Sequence, residues 1–250
     1  MISTPVNTSS GPAILKLNPV NQPRLLANEN FFLNMAAATG LQSPPHQLMT
    51  DRRGQLGLII KRFDRVEDRK SGLRRLEQED GCQLLDVYPA AKYRVKTEDL
   101  VLSLGAWVDA GGGSGAQARA SALQLVAFSY LIGNGDLHGK NFSGRRNPDG
   151  TREMTPVYDV LSTQPYLNWR DPMALNLYGR ANRLTRSHLL DSAHQLRISD
   201  RTARNGLDRI CEIAPLWIDR VDEIGFEPRP TELLHQLMSR RLLELRGEAR

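Results

Sequence analysis

The sequence predicts an α+β protein built from two lobes, a small one of strands around a single helix and a larger one that is mainly helical. Short apolar runs bounded by turn residues dominate the first 60 positions, whereas apolar residues at helical spacing dominate from Arg183 onward. The chain has 250 residues, of which 40% are hydrophobic and 24% are charged, so it can bury a substantial core. This composition argues against global disorder, a collagen repeat and a long coiled coil.

The small lobe is expected over residues 1–60, in the order strand, helix, strand, strand. Each predicted element is an apolar run that is closed by Gly, Pro, Asn or Asp. They are a strand at Ala13–Leu17, a helix at Asn28–Thr39 closed by Gly40, and a hairpin of His46–Met49 with Leu56–Ile60.

The large lobe is expected over residues 61–250. A charged passage leads through Arg75 to a mildly helical segment, Gln78–Leu85. The glycine run Ala110–Gly115 predicts a flexible linker before a buried helix, Ala116–Ile132. Because no Gly-Lys-Ser/Thr follows the glycines, they do not match a phosphate-binding loop.

Beyond the buried helix the sequence predicts a polar loop, a hairpin and a helical carboxy-terminal region. The polar loop covers residues 133–143, Asn147–Gly150 is a turn signal, and Met154–Val160 is the expected returning strand. Three amphipathic helices follow, the first of them capped by Thr185.

The remaining composition predicts a cytoplasmic protein without a disulfide framework. Cys82 and Cys211 stand far apart, with no CxxC motif and no histidine pair at zinc-ligand spacing. Met1–Pro12 has no basic stretch followed by an apolar one, unlike a signal peptide. The apolar stretch Leu123–Ile132 is too short for a bilayer, which takes about 20 residues, so no membrane contact is expected. The net charge of +5 is spread along the chain and permits nucleic-acid or acidic-protein partners without specifying either. DNA contact is expected to be only weak or indirect.

The polar loop carries the spacing of a phosphoryl-transfer site. Asp136 and Asn141 are separated by the interval at which kinase catalytic loops place a carboxylate that accepts the hydroxyl proton and an asparagine that binds metal. Asp159 follows, at the expected end of the returning strand, where a second oxygen ligand for Mg²⁺ would lie.

The small lobe supplies a candidate for binding phosphate. Lys16 lies in the first predicted strand, and Glu29 on the following helix could pair with it. Each feature alone also has a structural explanation: Lys16 could face solvent on an edge strand, Asp136 could cap a helix, and Asn141 could serve a turn. These residues occur together and in the same chain order as in kinases, which favours phosphoryl transfer.

Longer strings in the same regions resemble the HipA family of bacterial toxin serine/threonine kinases. The strings are Gly133–Ser143, Thr155–Ser162, Lys61–Arg65 and Arg75–Asp80, extended by Asp171–Leu177 and Thr185–Leu190. The resemblance runs from about residue 13 to near the end of the chain. It implies a bilobal protein-kinase-like fold with a reduced amino-terminal lobe, and ATP and Mg²⁺ as cofactors.

The resemblance also implies a role for each matching residue. Asp136 would be the catalytic base, Asn141 and Asp159 the magnesium ligands, and Lys16 the lysine that binds the ATP phosphates. The adenine pocket would be lined by the segment between the lobes, which consists of Lys61, Arg62, Phe63 and Asp64. Further nucleotide contacts would come from His138, Gly139, Lys140 and Tyr158.

Members of this family phosphorylate a serine of an aminoacyl-tRNA synthetase, notably the glutamyl enzyme, and thereby cause growth arrest or persistence. A DNA-binding antitoxin of the HipB type usually neutralises them. The resemblance therefore implies a protein substrate of this class and an antitoxin partner.

The sequence departs from the family pattern at its front. Family toxins carry an amino-terminal subdomain and a glycine-rich, serine-containing loop before the lysine strand, whereas only Ser3–Gly11 precedes that strand here. Neither Ser9 nor Ser10 matches an autophosphorylated serine. One alternative is therefore a split or catalytically impaired module that binds an antitoxin or a separate amino-terminal subunit.

A small-molecule phosphotransferase is the third hypothesis. The string Gly-Asp-Leu-His-x-x-Asn, which ends at Asn141, also resembles the loop of aminoglycoside and choline kinases. Lys140 and the string Tyr158–Ser162 favour the toxin family over these enzymes.

Overall fold

The structure is a computed structural model, and it describes residues 2–68, 72–167, 169 and 172–248. Positions 69–71 of the charged passage and Asp171, the first residue of one matching string, lie outside these residues. The strands are β1 (Ile2–Thr8), β2 (Gly11–Leu17), β3 (His46–Thr50), β4 (Leu56–Lys61), β5 (Arg65–Asp68), β6 (Gly72–Arg75), β7 (Gln78–Asp80), β8 (Ser143–Arg146) and β9 (Arg152–Met154). The helices are α1 (Leu25–Ala38), α2 (Gly81–Leu84), α3 (Thr97–Ala110), α4 (Gly115–Ile132), α5 (Arg186–Gln195), α6 (Asp200–Ile218) and α7 (Pro228–Arg246). Short 3-10 turns lie at Pro89–Ala91, Gly139–Asn141, Gln164–Tyr166 and Val221–Ile224.

The first four strands form one antiparallel sheet in the order β1-β2-β4-β3, and α1 packs against β3 and β4. This confirms the predicted strand, helix and hairpin, although α1 begins at Leu25 rather than at Asn28. Because β2 is paired on both sides, Lys16 does not lie on an edge strand, and only 5% of its surface is exposed. The interpretation of Lys16 as a solvent-facing lysine is therefore wrong.

The predicted order of the small lobe lacks β1, which precedes the strand of Lys16. The sequence of β1 is polar and has no apolar run, yet its backbone pairs with β2 from Ile2 opposite Leu17 to Thr8 opposite Gly11. An edge strand can form from polar residues because the pairing satisfies its backbone groups whatever its side chains are. The division of the chain into lobes at residue 60 stays a prediction.

The charged passage after β4 forms a hairpin, and the first residues of the expected helix Gln78–Leu85 form a strand. β5 and β6 make a hairpin, and Gln78–Asp80 is β7, which pairs with β8. Only Gly81–Leu84 is helical, and Asp80 caps it by accepting hydrogen bonds from the backbone N–H groups of Cys82 and Gln83. The prediction of a helix over Gln78–Leu85 is therefore wrong for its first residues, because pairing with a distant strand overrides local propensity.

The helix α3 is absent from the predicted elements, although Leu100, Val101, Leu104 and Val108 bury one of its faces against α4. The glycines after it form a hydrogen-bonded turn rather than a flexible linker. A Cβ atom at Gly113 would lie 1.9 Å from the carbonyl oxygen of Arg152, so this turn packs directly on β9. The close approach of two backbones explains the glycine at position 113, and the φ of 74° at Gly112 explains its neighbour.

The expected returning strand, Met154–Val160, is mostly not a strand. β9 ends at Met154, and the following residues run as an irregular segment in which Val157 and Val160 are buried. The Val157 N–H donates to the carbonyl oxygen of Gln42 at 2.7 Å, outside any sheet. Asp159 therefore does not end a strand, because the apolar alternation reflects burial rather than sheet pairing.

The three carboxy-terminal helices form as predicted. The Thr185 side chain caps α5 by accepting a hydrogen bond from the His188 N–H, and α6 and α7 pack against α4. The apolar residues of α4 are almost completely buried at the centre of this layer. No helix in the described residues is long and apolar enough to cross a membrane.

The close contact between α2 and the polar loop gives a stability prediction. A Cβ atom at Gly81 would lie 2.5 Å from the Gly139 carbonyl oxygen and 2.4 Å from Leu100 Cδ2. We expect Gly81→Ala to lower the free energy of unfolding by about 1–3 kcal/mol, as overpacking does elsewhere. Urea denaturation followed by circular dichroism measures this change.

Gly206→Ala in α6 is the matched control. Its added Cβ atom would meet only Gln124 side-chain atoms at 3.9 Å, and alanine favours a helix by about 1 kcal/mol relative to glycine. This variant should keep or gain stability. An equal loss in both variants would contradict the packing described for Gly81.

Candidate active site

Lys16 is the centre of a buried ionic cluster. Its Nζ donates to Glu29 Oε1 at 2.6 Å and also to Asp159 Oδ1. Lys16 comes from β2, Glu29 from α1 and Asp159 from the irregular segment after β9. Glu29 is fully buried, whereas 54% of the Asp159 side chain is exposed. The cluster therefore joins three distant parts of the chain and opens to solvent through Asp159.

Burial and charge act in opposite directions on this cluster. Burial alone would lower the pKa of Lys16, but the Glu29 and Asp159 carboxylates raise it above the ordinary value. Burial raises the pKa of Glu29 to about 7, despite the neighbouring Lys16 ammonium. Within the described residues Glu29 Oε2 has no hydrogen-bond partner. Lys16 therefore stays protonated and carries its positive charge at the wall of the cleft.

The backbone conformation of Asp159 and the side-chain amide of Asn28 present the Asp159 carboxylate to Lys16. Asp159 has a φ of 53°, in the left-handed region that aspartate tolerates better than most residues. The amide of Asn28, the neighbour of Glu29 on α1, donates to the Ser162 carbonyl at 2.8 Å and accepts from the Ser162 N–H at 3.0 Å. The same turn of α1 therefore holds both the lysine partner and the segment that carries Asp159.

The polar loop folds on itself through asparagine side chains. It starts at Gly133, which ends α4 with a φ of 75°. Asn134 Oδ1 accepts a hydrogen bond from the Asp136 N–H at 3.0 Å, and Asn141 Oδ1 accepts one from the His138 N–H at 2.9 Å. These short-range bonds fix the backbone around Asp136, whose Oδ1 accepts a hydrogen bond from the Tyr93 hydroxyl at 2.6 Å.

The predicted site residues line two adjoining cavities. The cavity of about 710 Å³ holds most of the expected nucleotide residues, namely Lys16, Lys61, Arg62, Phe63, Asp64, Lys140 and Tyr158. The cavity of about 580 Å³ holds Asp136. Both cavities are lined by Ser3, His138, Asn141 and Asp159, so they form one continuous cleft. The larger cavity has room for a nucleotide, and the smaller cavity adjoins the candidate base.

Glu29 and Gly139 do not line either half of the cleft. Glu29 lies behind Lys16, and the Gly139 N–H donates to the Lys92 carbonyl oxygen at 2.9 Å. Both residues therefore support cleft residues rather than face the cavity.

The segment Lys61–Asp64 is fixed by ion pairs at the edge of the larger cavity. Arg62 makes a two-bond contact with Asp64, with Nε–Oδ1 and Nη2–Oδ2 distances of 2.8 and 2.6 Å. Arg145 donates to the Phe63 carbonyl oxygen at 2.8 Å. The ring centroids of Phe63 and Tyr158 lie 6.0 Å apart, so two aromatic rings bound this end of the cavity.

Asn141 and Asp159 offer a donor set that suits Mg²⁺. Both provide hard oxygen ligands, and Mg²⁺ in phosphoryl-transfer sites commonly takes one or two carboxylates together with phosphate oxygens and water. Asn141 Oδ1 accepts a single hydrogen bond and retains a free lone pair. The Lys16 ammonium already contacts Asp159 Oδ1, so the site stabilises a positive charge at this oxygen. The residues present therefore fit the ion.

Several residues of the cleft were beyond the reach of sequence reasoning. Tyr93 contacts Asp136 from 43 positions away in the chain, and Asp80 lies 3.8 Å from the Lys140 ammonium. Asn134 precedes Asp136 by two positions, and its short side chain next to a loop aspartate was a usable turn signal. For Tyr93 no local pattern marks the contact, since it depends on the pairing of the Lys92 carbonyl oxygen with the Gly139 N–H of the polar loop.

The fold belongs to the kinase-like class. Solved structures share the fold: a chain of the Shewanella oneidensis MR-1 HipA, HipB and operator DNA complex has a TM-score of 0.72 at 20% identity, covering 94% of this chain and 58% of that one. The Helicobacter pylori proinflammatory kinase CtkA has a TM-score of 0.61 at 16% identity, covering 98% of this chain and 92% of that one.

Sequence comparison identifies the family. The model of the HipA-like C-terminal domain matches residues 3–218, and the chain belongs to this family. The kinase candidate Y4mE of Sinorhizobium fredii is 31% identical over 176 residues, which are 70% of this chain and 41% of that protein. The chain spans about half the length of the curated relatives it matches. The resemblance to the HipA family inferred from the motifs is confirmed.

The ionic cluster gives a prediction for Lys16→Met. At pH 8 we expect this variant to lose about 3–5 kcal/mol of unfolding free energy, because Glu29 remains buried without its counter-charge. The pKa of Glu29 is raised in the folded protein, so its favourable contribution is present at low pH and is lost as the pH rises through about 7. The loss caused by Lys16→Met should therefore be smaller at pH 5.5 than at pH 8.

The double variant Lys16→Met/Glu29→Gln is the control, since it removes both charges. It should recover part of the stability at pH 8 when unfolding is measured in urea. A loss that is the same at both pH values and that the double variant does not relieve would contradict the pairing.

Proposed function

We propose that this chain is an ATP- and Mg²⁺-dependent kinase module that transfers the γ-phosphoryl group to a serine hydroxyl of a protein. The observation that carries the proposal is the convergence of Lys16, Asp136, Asn141 and Asp159 on one continuous cleft. These residues are the set that phosphoryl transfer needs, and they come from β2, the polar loop and the segment after β9.

Each residue has a task that follows from its chemistry. Asp136 accepts the proton of the attacking hydroxyl, and Lys16 neutralises phosphate charge from the wall of the larger cavity. Asn141 and Asp159 would hold Mg²⁺, which when bound neutralises charge on the phosphate oxygens. The rings of Phe63 and Tyr158 bound the end of the cavity assigned to the adenine.

The position of β1 supports a functional cleft. Ser3 of β1 lines both halves, so the strand that the sequence did not predict forms part of the cleft wall. This wall favours a cleft that binds a ligand, and the split or impaired module is the alternative that the transfer assay below tests.

The proposed substrate and partner follow the family. A HipA chain was solved with HipB and operator DNA, which supports an antitoxin of the HipB type as the partner of this chain. The proposed acceptor is an aminoacyl-tRNA synthetase, with the glutamyl enzyme as the first choice. Cytoplasmic localisation follows from this proposed target.

Asp136→Asn should abolish phosphoryl transfer while leaving the nucleotide site intact. Loss of a general base costs about 10²–10⁴-fold in rate. The measurement is transfer of γ-labelled phosphate from ATP to purified glutamyl-tRNA synthetase, with aminoglycoside and choline as alternative acceptors. Mg²⁺ and ATP should raise the melting temperature of wild type and variant alike, because a ligand of the folded state stabilises it.

Asp191→Asn, on the exposed face of α5 and outside both cavities, is the matched control and should transfer phosphate normally. Equal rates for Asp136→Asn and wild type would contradict the role of Asp136. Labelling of only the small acceptors would contradict a protein substrate. Nucleotide stabilisation without any transfer would favour a binding module instead.

A further inference from the structure

Tyr93 is the side chain that holds the candidate base. Its hydroxyl donates to Asp136 Oδ1 at 2.6 Å. In the described part of the chain no other side chain donates a hydrogen bond to this carboxylate, which leaves Oδ2 available to another donor. An ionised carboxylate accepts at both oxygens, so Asp136 can keep its bond to Tyr93 while it accepts the proton of a substrate hydroxyl.

The segment of Tyr93, which connects α2 to α3, is fixed to the loop that carries Asp136. The carbonyl oxygen of Lys92 accepts a hydrogen bond from the Gly139 N–H at 2.9 Å. The Tyr93 ring meets the His138 ring edge to face, with centroids 5.2 Å apart. The contacts to Gly139 and His138 therefore hold Tyr93 on the loop of Asp136. With Tyr93 fixed in this way, its hydrogen bond restricts the rotation of the Asp136 carboxylate.

Tyr93 also occupies a functional place in the cleft. It is 49% exposed and lines the half that contains Asp136. Burial and the bond to Asp136 raise the pKa of Tyr93 to about 12, so the phenol remains a donor at neutral pH. The charged or titratable groups around the pair are His138, Lys92 and Asp159.

We propose that Tyr93 is a positioning residue for phosphoryl transfer, whose hydroxyl fixes Asp136 through Oδ1 so that Oδ2 accepts the proton of the incoming hydroxyl. This inference rests on the proposed function of the cleft. A base held in one orientation by a neighbouring hydrogen bond transfers protons faster than a freely rotating one. The bond is partly exposed, so its loss should affect rate more than folding.

The test compares Tyr93→Phe with Tyr88→Phe in the labelled-phosphate assay. Tyr93→Phe keeps the ring against His138 and removes only the donor. We expect kcat to fall about 10- to 100-fold, the range for a hydrogen bond to a charged group, with the KM for ATP and the melting temperature unchanged. Tyr88 lies in the same segment, is 86% exposed and makes no described side-chain hydrogen bond, so Tyr88→Phe should leave kcat unchanged.

The contact itself is measured without turnover. The ¹³Cζ resonance of Tyr93, assigned by its absence in Tyr93→Phe, should move in Asp136→Asn and stay in place in Asp191→Asn. An unmoved resonance would overturn the proposal.

The outcomes separate this role from the function of the cleft. Normal kcat in Tyr93→Phe, with transfer abolished in Asp136→Asn, would overturn the role of Tyr93 and leave the kinase function standing. Phosphate found on Tyr93 by mass spectrometry would also overturn it, since the hydroxyl would then be an acceptor. Absence of transfer by the wild type to any acceptor would remove the function and this role together.

Discussion

The Lys16 ammonium is almost completely shielded from water and is balanced by carboxylates from two other parts of the chain. Burying a single charge is strongly unfavourable, and a buried ion pair is stable only when its partners are held in place. Lys16 therefore requires that α1 pack on the sheet and that the segment of Asp159 reach the same point. Formation of the cleft depends on this requirement.

Helix α1 meets the requirement through two neighbouring residues. Glu29 pairs with Lys16, and Asn28 binds both backbone groups of Ser162. The helix thus fixes the distance between the strand that would contact phosphate and the segment that would hold metal. On the other side of the cleft, the polar loop is held by asparagine side chains and by the Tyr93 segment, so the acidic groups are positioned before any ligand binds.

The sequence was sufficient to predict the elements that are rich in apolar residues, together with the residues of the motifs. Lys16, Asp136, Asn141 and Asp159 line one cleft as the motif order implied, and β2, α1, α4 and the last three helices form as predicted. β1 was missed because its residues are polar and contain no apolar run, although it pairs with the adjacent β2. β7 was not predictable because it exists through pairing with the distant β8. The Tyr93–Asp136 contact was not predictable because it joins residues 43 positions apart. The backbone at Asp159 was wrongly predicted as a strand because its irregular segment has the apolar alternation of one.

A crystal structure with Mg²⁺ and a non-hydrolysable ATP analogue would test directly whether the buried ionic cluster forms a nucleotide site. We expect the nucleotide to occupy the cavity of Lys16, Phe63 and Tyr158. Lys16 should keep its bond to Glu29 and exchange Asp159 for a phosphate oxygen, while Asn141 and Asp159 contact the ion. A nucleotide bound outside this cavity, or a Lys16–Asp159 pair that persists beside bound phosphates, would contradict it.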